Sequence, residues 1–343
     1  MPYKKIFILS LHALSFILFA SFILFSMLFF KKPAGETTDI SWGVAFSHTF
    51  AEAMGLDWKK AYIATLDELK PKAVRIPVYW PEIEKEEGKF TFSDYDFMMN
   101  EAEKRNVPIV LVIGERVPRW PECHVPDWAK QEGKSKMQES LLGVMEKTVE
   151  RYKGYKNIKM WQVENEPFLP YFGACDLVDT KFLDKEIALV KKLDKDRKIM
   201  LTDSGELSIW FLAAKRADVF GTTMYRTVWS NKLSKYIGYI TYPLPPKFFW
   251  FKANMVQLLY GDKPIIVSEL QGEPWSPGTM LSELPEEEQK KSMSIEKFKA
   301  NIDYAKKVGF PEVYFWGAEW WYWQKEKNND PAYWNAAKEL FSE

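Results

Sequence analysis

The chain has 343 residues, and its 47 basic side chains balance its 47 acidic ones, so it carries no formal net charge at neutral pH. That balance argues against a nucleic-acid-binding protein, which normally carries a basic excess. A charged fraction of 27% and an aromatic fraction of 16% exclude a disordered chain. Two cysteines and three histidines exclude a disulfide-rich mini-protein and leave little for a metal site, so we expect neither metal nor cofactor.

The first predicted element is an apolar helix at the N-terminus. Residues 6–30 contain no Lys, Arg, Asp or Glu and are dominated by Leu, Ile and Phe. A helix of that length is about 37 Å long, which is enough to cross a bilayer. The run is longer than a signal-peptide core, and the large side chains at 27–30 make a poor cleavage site. The sequence predicts an uncleaved membrane anchor, with a cleaved signal or a buried core helix as alternatives.

After a short polar tether at 31–39, apolar or β-branched runs alternate with helical patterns. Strands are predicted at 40–46, 73–78, 108–113, 158–163, 198–202, 219–224, 264–268 and 312–316. Helices are predicted at 58–69, 94–105 with Ser93 as N-cap, 136–151, 294–308 and 330–341. Eight strands with eight helix-sized segments indicate a (β/α)8 barrel. A doubly wound sheet is the alternative, but no glycine-rich loop follows the first strand.

The predicted organisation is therefore an anchor with its tether at 1–35 and one catalytic barrel at 36–343. In such a barrel, functional side chains lie at the C-terminal ends of the strands and in the loops that follow, here called the mouth. The candidates there are Arg75, Trp80, Trp120, Asn165, Glu166, Tyr225, Glu269, Trp275, Trp316 and Trp320.

Carboxylates, an arginine and many tryptophans at one mouth suit sugar chemistry. Hydrolysis of a glycoside requires one protonated carboxyl group and one ionised carboxylate across the scissile bond. Tryptophan rings stack on the apolar faces of pyranose rings. The sequence therefore predicts a carbohydrate substrate.

Four motifs resemble clan A glycoside hydrolases. The Asn-Glu-Pro motif at 165–167, with Glu269 ending a later strand, is similar to the clan as a whole. Residues 162–166 resemble family 35, the stretch from Trp80 to Asp96 resembles families 35 and 42, and residues 75–78 resemble family 5. The resemblance also extends to family 39. The likeness covers residues 42–323 and does not select one family.

The resemblance implies a retaining enzyme and a role for each matching residue. Glu166 would be the general acid/base and Glu269 the nucleophile. Asn165 would bind the sugar 2-hydroxyl, and Trp316 would form the platform under the reacting sugar. Arg75 would hold the nucleophile ionised and Tyr225 would donate a hydrogen bond to it. The sequence departs from the clan at Thr223, where many members have histidine.

Other mouth residues have competing interpretations. Glu164 lies two residues before Glu166, so in a strand both would point to the same side. It is a rival for the acid, but the favoured interpretation is a structural partner inside the mouth. Glu206, Glu273 and Glu319 are interpreted as ion-pair or subsite residues. Trp80, Trp120, Trp275 and Trp320 are candidates for further sugar contacts, with packing as the alternative.

Two further features bear on the compartment. Cys123 and Cys175 fall in the loops after the third and fourth strands, and adjacent barrel loops can bring two cysteines within bridging distance. We predict a disulfide, which favours an extracytoplasmic barrel; two free thiols are the alternative. The aromatic segment at 247–252 is interpreted as a membrane-interface contact, a lid or ordinary packing.

Together these features predict a membrane-anchored retaining hydrolase that cleaves β-glycosidic bonds of an oligo- or polysaccharide by double displacement. A transglycosylase would share every catalytic residue and differ in its acceptor sites. A non-catalytic glycan-binding barrel is the other alternative, disfavoured because both carboxylates are present. Secretion after cleavage of the N-terminal segment is the alternative location.

Overall fold

The computed structural model describes residues 2–35, 37–170, 172–176, 178–230 and 232–342, with side chains from His12 onward. Three residues at the predicted domain limits, Met1, Glu36 and Glu343, lie outside the described residues.

Eight parallel strands close into a barrel, which confirms the predicted fold and excludes the doubly wound sheet. Its first and last strands pair in register, with Ser41 opposite Glu312. A two-stranded antiparallel ribbon, β7 (Thr227–Val228) with β8 (Ile240–Thr241), lies outside the barrel. The barrel strands, in the order in which they pair, are β1 (Ser41–Ala45), β2 (Val74–Pro77), β3 (Ile109–Ile113), β4 (Ile158–Val163), β5 (Lys198–Asp203), β6 (Val219–Met224), β9 (Ile265–Gln271) and β10 (Glu312–Trp316).

Helices surround the barrel and one helix precedes it. The helices are α1 (Pro2–Phe30), α2 (His48–Ala53), α3 (Trp58–Ala64), α4 (Trp80–Ile83), α5 (Ser93–Lys104), α6 (Asp127–Lys130), α7 (Lys134–Tyr152), α8 (Thr180–Leu193), α9 (Phe211–Arg216), α10 (Ser234–Ile237), α11 (Pro246–Tyr260), α12 (Glu286–Ser292), α13 (Ile295–Val308), α14 (Ala318–Lys327) and α15 (Ala332–Ser342). A π-helical turn at Thr65–Leu69 extends α3, and a 3-10 turn lies at Leu281–Glu283.

Helix starts follow local capping chemistry in some places and not in others. The hydroxyl of Ser294 accepts a hydrogen bond from the Lys297 N–H and caps α13. The prediction that Ser93 caps α5 is wrong, because Ser93 is already helical and Phe92 occupies the cap without a side-chain hydrogen bond.

Side chains fill the barrel, so a substrate can approach only at its mouth. The interior is so crowded that a Cβ at Gly43 in β1 would lie 2.8 Å from both the Ala73 oxygen and the Tyr314 ring. One interior cluster consists of Ala73, Val110, Met160, Met200, Val219, Ile266 and Tyr314. The larger core lies between the barrel and its helices.

Within the described residues, one helical stretch, His12–Phe30, is long and apolar enough to cross a membrane. Its side chains are largely exposed, as a lipid-facing helix requires; Phe16 is 71% exposed. The end of this helix contacts α11. Of the predicted segment 247–252, Phe249 is buried in the core and Phe251 packs against Phe25 of α1.

Candidate active site

Arg75 joins the strand ends that form the base of the mouth, here called the floor. Its guanidinium is fully buried, and Nη1 lies 2.7 Å from Glu269 Oε1 at the end of β9. Nε donates to Gln162 Oε1 at 2.8 Å, and Nη2 donates to Asn165 Oδ1 at 2.8 Å. A single planar fork therefore fixes Glu269 and Asn165 relative to each other.

Both oxygens of the Glu269 carboxylate receive a hydrogen bond. Arg75 donates to Oε1, and the Tyr225 hydroxyl, at the end of β6, donates to Oε2 at 2.8 Å. Hydrogen bonds and a cation favour the ionised form of a carboxyl group. The arrangement suits a carboxylate that must attack as an anion.

Glu166 lies in a different environment at the same mouth. It follows β4 with a left-handed φ of 43°, and its N–H donates to Thr202 Oγ1 at 2.9 Å. Burial raises the pKa of Glu166 well above its usual range, and the negative charges of Glu269, Glu122 and Asp203 raise it further. A carboxyl group held protonated in this way can act as a general acid.

A third carboxyl group, Glu122, lies beside Asn165 and Glu166, and no sequence motif predicts it. Asn165 Nδ2 donates to Glu122 Oε2 at 3.0 Å. Burial raises the pKa of Glu122 to about 8, with the charge of Glu269 adding to the effect. Glu122 lies in the loop after β3, well beyond the strand end, and its one sequence signal is that it directly precedes Cys123.

The loops after β3 and β4 are joined beside Glu122. Cys123 and Cys175 form a disulfide, with their Cα atoms 5.4 Å apart, which confirms the predicted bridge. The Ala174 N–H donates to the Pro121 oxygen at 2.9 Å, and a Cβ at Gly173 would lie 2.9 Å from Glu122 Cβ. The loop after β4 therefore packs closely against Glu122 and fixes its position.

The Glu164 carboxylate does not join Glu166 and Glu269, contrary to the expected strand geometry. Glu164 adopts a left-handed φ of 58°, so the alternation of side chains ends with β4. Its carboxylate accepts hydrogen bonds from the N–H groups of Glu115 and Arg116, both at 2.7 Å. With Glu186 of α8 it lines a cavity of about 70 Å³. Glu164 is therefore poorly placed as a rival acid.

Trp316 at the end of β10 is half-buried and stacks on an arginine. The guanidinium carbon of Arg119 lies 4.0 Å from the centroid of the Trp316 ring and 3.5 Å from that of Phe50. Arg119 forms ion pairs with Glu273 and Glu319. These two glutamates have the ion-pair role expected for them, and they hold the cation against the indole.

The other predicted tryptophans separate into two groups. Trp120 is 67% exposed, and its ring lies 6.2 Å from that of Phe172. Phe172 in turn lies 5.7 Å from Trp275, which contacts Tyr225 at 5.2 Å. These rings form an aromatic wall that runs from the loop after β3 to Tyr225.

Trp80 and Trp320 do not reach the cleft. Both are buried, and their Nε1 atoms donate to Glu84 Oε2 at 2.8 Å and to Gln289 Oε1 at 3.1 Å. The structure therefore assigns them to packing, which was the alternative interpretation.

The sequence model of glycosyl hydrolase family 10 matches residues 77–182, a segment that includes Glu122 and Glu166 and ends before Glu269. The resemblance to clan A glycoside hydrolases is confirmed. With the barrel fold, this match also supports the prediction of a glycosidase. No curated protein sequence matches the chain.

Solved structures of low sequence identity share the fold. A family 42 β-galactosidase from G. stearothermophilus has a TM-score of 0.61 at 11% identity, over 92% of this chain and 57% of its own. The β-galactosidase of the haloarchaeon Halorubrum lacusprofundi has a TM-score of 0.58 at 14% identity, over 88% of this chain and 58% of its own. The chain thus spans less than two thirds of either protein. Xylanase 10B from Thermotoga maritima has a TM-score of 0.56 at 17% identity, over 89% of this chain and 95% of its own.

Proposed function

We propose that the chain is a retaining hydrolase of β-glycosidic bonds. The observation that carries this proposal is the contrast between two carboxyl groups at one mouth. Glu269 receives hydrogen bonds from Arg75 and Tyr225, whereas burial and neighbouring negative charge raise the pKa of Glu166. Retaining glycosidases need this division between an ionised nucleophile and a protonated acid.

In the first step of the proposed mechanism, Glu269 Oε attacks the anomeric carbon while Glu166 gives its proton to the leaving oxygen. The bond to the leaving group breaks as an ester bond to Glu269 forms. In the second step the ionised Glu166 removes a proton from water, which attacks the same carbon and releases Glu269. Two inversions leave the anomeric configuration unchanged.

Nearby groups have supporting roles in this mechanism. Asn165 lies beside both Arg75 and Glu122, where a sugar 2-hydroxyl would be bound. Tyr225 holds the nucleophile in place, and Trp316, stiffened by Arg119, provides a ring face for the reacting sugar. The aromatic wall of Trp120, Phe172 and Trp275 offers further stacking positions, which favours an oligo- or polysaccharide over a short glycoside.

The test is a panel of aryl β-glycosides and β-linked polysaccharides, offered to the full-length protein in detergent. Proton NMR of the first turnovers follows the anomer released. We expect the β-anomer to appear first and to mutarotate later. Initial release of the α-anomer contradicts the retaining mechanism, and glycan binding without hydrolysis across the panel supports a binding protein. Transfer to added sugar acceptors in preference to water supports a transglycosylase.

We further propose that α1 anchors the barrel to a membrane, with residues 1–35 as anchor and tether and residues 36–343 as the catalytic domain. The apolar stretch His12–Phe30 supports the anchor, and the Cys123–Cys175 disulfide supports an extracytoplasmic barrel. Alkaline extraction of membranes tests the anchor: an inserted protein stays in the membrane pellet. Release into the supernatant as a shortened chain supports the cleaved signal.

A further inference from the structure

The exposed large apolar side chains of the barrel are concentrated in one part of the chain. Among the described residues outside α1, all of them except Trp120 lie between residues 207 and 259. Single exposed apolar residues are normal on a protein surface, but a contiguous group of them marks an interaction site. These residues belong to the loops and helices that follow β5 and β6, which pair side by side, and α9 contacts α11, so they lie in one sector of the barrel. The members of this 207–259 face are Leu207, Ile209, Leu212, Leu233, Tyr236, Ile237, Leu258 and Leu259.

The charged side chains of the same stretch are mostly basic. Residues 207–259 contain seven basic side chains and one acidic side chain, Asp218, although the chain as a whole is neutral; of the seven, Lys252 is buried and Arg216 pairs with Asp184. Asp218 forms an ion pair with Lys191. Lys232 and Lys235 are exposed beside the apolar side chains of α10. Apolar side chains interleaved with lysines are typical of a surface that lies in the headgroup region of a bilayer.

The anchor helix joins the barrel at this face. Phe25 and Phe29 of α1 pack on Phe251 of α11, with ring centroids 5.4 and 6.4 Å apart. Asn254 Nδ2 donates to the Leu28 oxygen at 2.8 Å and to the Lys31 oxygen at 2.7 Å. These hydrogen bonds cap the end of α1, so the helix leaves the barrel from α11 rather than from a free tether.

The tether itself is held to the same helix. The Ala34 N–H donates to Gln257 Oε1 at 3.1 Å, and Gln257 Nε2 donates to the Ala34 oxygen at 2.9 Å. Because the tether is hydrogen-bonded to α11, the barrel has little freedom to rotate relative to α1. The 207–259 face, which includes α11, must therefore lie close to the point where the chain enters the membrane.

We propose that the 207–259 face rests on the lipid headgroups of the bilayer that α1 spans and holds the mouth of the barrel at the membrane surface. The inference rests on the proposed anchor and is independent of the proposed glycosidase chemistry. A lipid surface is the occupant because the face is continuous with the spanning helix and combines apolar with basic side chains. The segment 247–252 contributes through the anchor contact, since Phe249 is buried and Phe251 faces α1.

The face and the proposed active site are directly connected. Leu207 follows Glu206, whose carboxylate accepts a hydrogen bond from the Tyr225 N–H at 2.7 Å, and the Tyr225 hydroxyl donates to Glu269. The membrane surface would thus lie beside the loops after β5 and β6. Glycans carried by lipids or held close to the bilayer would be presented to Glu166 and Glu269 without diffusion from bulk solution.

Site-directed spin labels on the full-length chain test the proposal in vesicles of phosphatidylcholine with and without phosphatidylglycerol. One cysteine at a time is introduced, as Ile209→Cys or Ile237→Cys, while the native disulfide stays oxidised. Phe22→Cys in α1 is the lipid control. Glu103→Cys is the water control, because Glu103 is exposed on α5, which follows β2 on the side of the barrel opposite β5 and β6. Accessibility to oxygen and to a water-soluble nickel complex is measured for each label.

We expect labels at 209 and 237 to resemble the label at 22, with a ratio of oxygen to nickel accessibility several-fold above that at 103. The contrast should increase with phosphatidylglycerol and decrease in Lys232→Gln/Lys235→Gln. Labels at 209 and 237 that match the label at 103 overturn the docking proposal while the anchor stands. A label at 22 in water overturns the anchor itself. Exclusion of both reagents, with spin coupling that disappears on dilution with unlabelled protein, means that a second copy covers the face and overturns the proposal.

Discussion

Glu164 and Glu166 stand two residues apart after the same strand, and they belong to two different groups of carboxylates. Glu166 lies in an inner group with Glu269 and Glu122, at the mouth. Glu164 lies in an outer group with Glu186 and Glu115, around a small cavity lined by the loops after β3 and β4 and by α7 and α8. Burial raises the pKa of both Glu164 and Glu166.

A raised pKa therefore does not identify an acid catalyst by itself. In the outer group, backbone N–H groups satisfy Glu164, and Glu186 shares a hydrogen bond with it, so the raised pKa reflects two buried carboxyl groups that retain a proton between them. In the inner group, a second carboxylate held by a cation faces the acid. The presence of that partner, rather than the pKa alone, distinguishes a candidate site from a structural pair.

The largest effect is expected for the inner group, in Glu269→Gln. The amide cannot form a glycosyl ester and leaves the buried Arg75 without its anionic partner, so turnover should fall by more than about 10⁴-fold. Steady-state kinetics on an activated aryl β-glycoside measure this loss, and circular dichroism shows whether the variant remains folded. A folded variant with wild-type turnover would falsify the role of Glu269.

The next effect is expected for Glu166→Ala, compared with Glu164→Gln as its matched control. Loss of the acid should slow cleavage of unactivated glycosides by about 10² to 10⁴-fold, and much less for an aryl glycoside with a good leaving group. External azide should then restore turnover and give a β-glycosyl azide. The Glu164→Gln variant should keep its turnover within a few-fold. Equal losses of turnover in the two variants would contradict the distinction between the inner and outer groups of carboxylates.

A smaller effect is expected from breaking the disulfide that lies between the two groups. Cys123 is adjacent to Glu122 of the inner group, and both cysteines line the cavity of the outer group. Closing a loop with a sequence separation of 52 residues restricts the unfolded chain, so Cys123→Ser/Cys175→Ser should lose about 2–4 kcal/mol of unfolding free energy. Urea unfolding with and without reductant measures it. An unchanged midpoint in reduced wild-type protein contradicts the expectation.

The smallest effect is the pH dependence of stability in Glu164→Gln. Burial raises the pKa of Glu164 above its unfolded value of about 4.3, so the folded chain keeps a proton that the unfolded chain releases. This contribution is fully present below about pH 4 and is lost as the pH rises through the raised pKa. The wild type should lose stability across that window because of this group, and the variant should lose less. Urea unfolding at pH 5 and pH 8 compares them; parallel pH profiles contradict the assignment.

The barrel could be predicted from the sequence because its signals are local. Strands buried on both sides are continuous apolar runs, and each observed barrel strand lies within about three residues of its predicted limits. The mouth follows from the fold, since parallel strands bring their C-terminal ends together. For that reason Arg75, Glu166, Tyr225 and Glu269 could be named before their distances were known.

Other parts of the site depend on contacts that the sequence pattern does not contain. Glu164 and Glu166 have a left-handed backbone conformation, which ends the alternation of side-chain directions along β4. No residue type at these positions predicts that conformation. Glu122 reaches the site because the loop after β4 and the disulfide fix its own loop. The burial of Trp80 and Trp320 could not be predicted either. A tryptophan near a strand end gives the same sequence pattern whether its ring turns toward solvent or toward the core.

The Arg75 guanidinium has a consequence for how this barrel can evolve. Its donors join β2 to Gln162 in β4, to Asn165 and to Glu269, so one side chain contributes both to the closure of the barrel and to the orientation of its reacting groups. A substitution there would cost stability and chemistry at once, and lysine could not replace the planar fork. New specificities in descendants of this chain should therefore arise in the loops around the floor, where the Trp120 and Phe172 side chains of the aromatic wall can change without disturbing it.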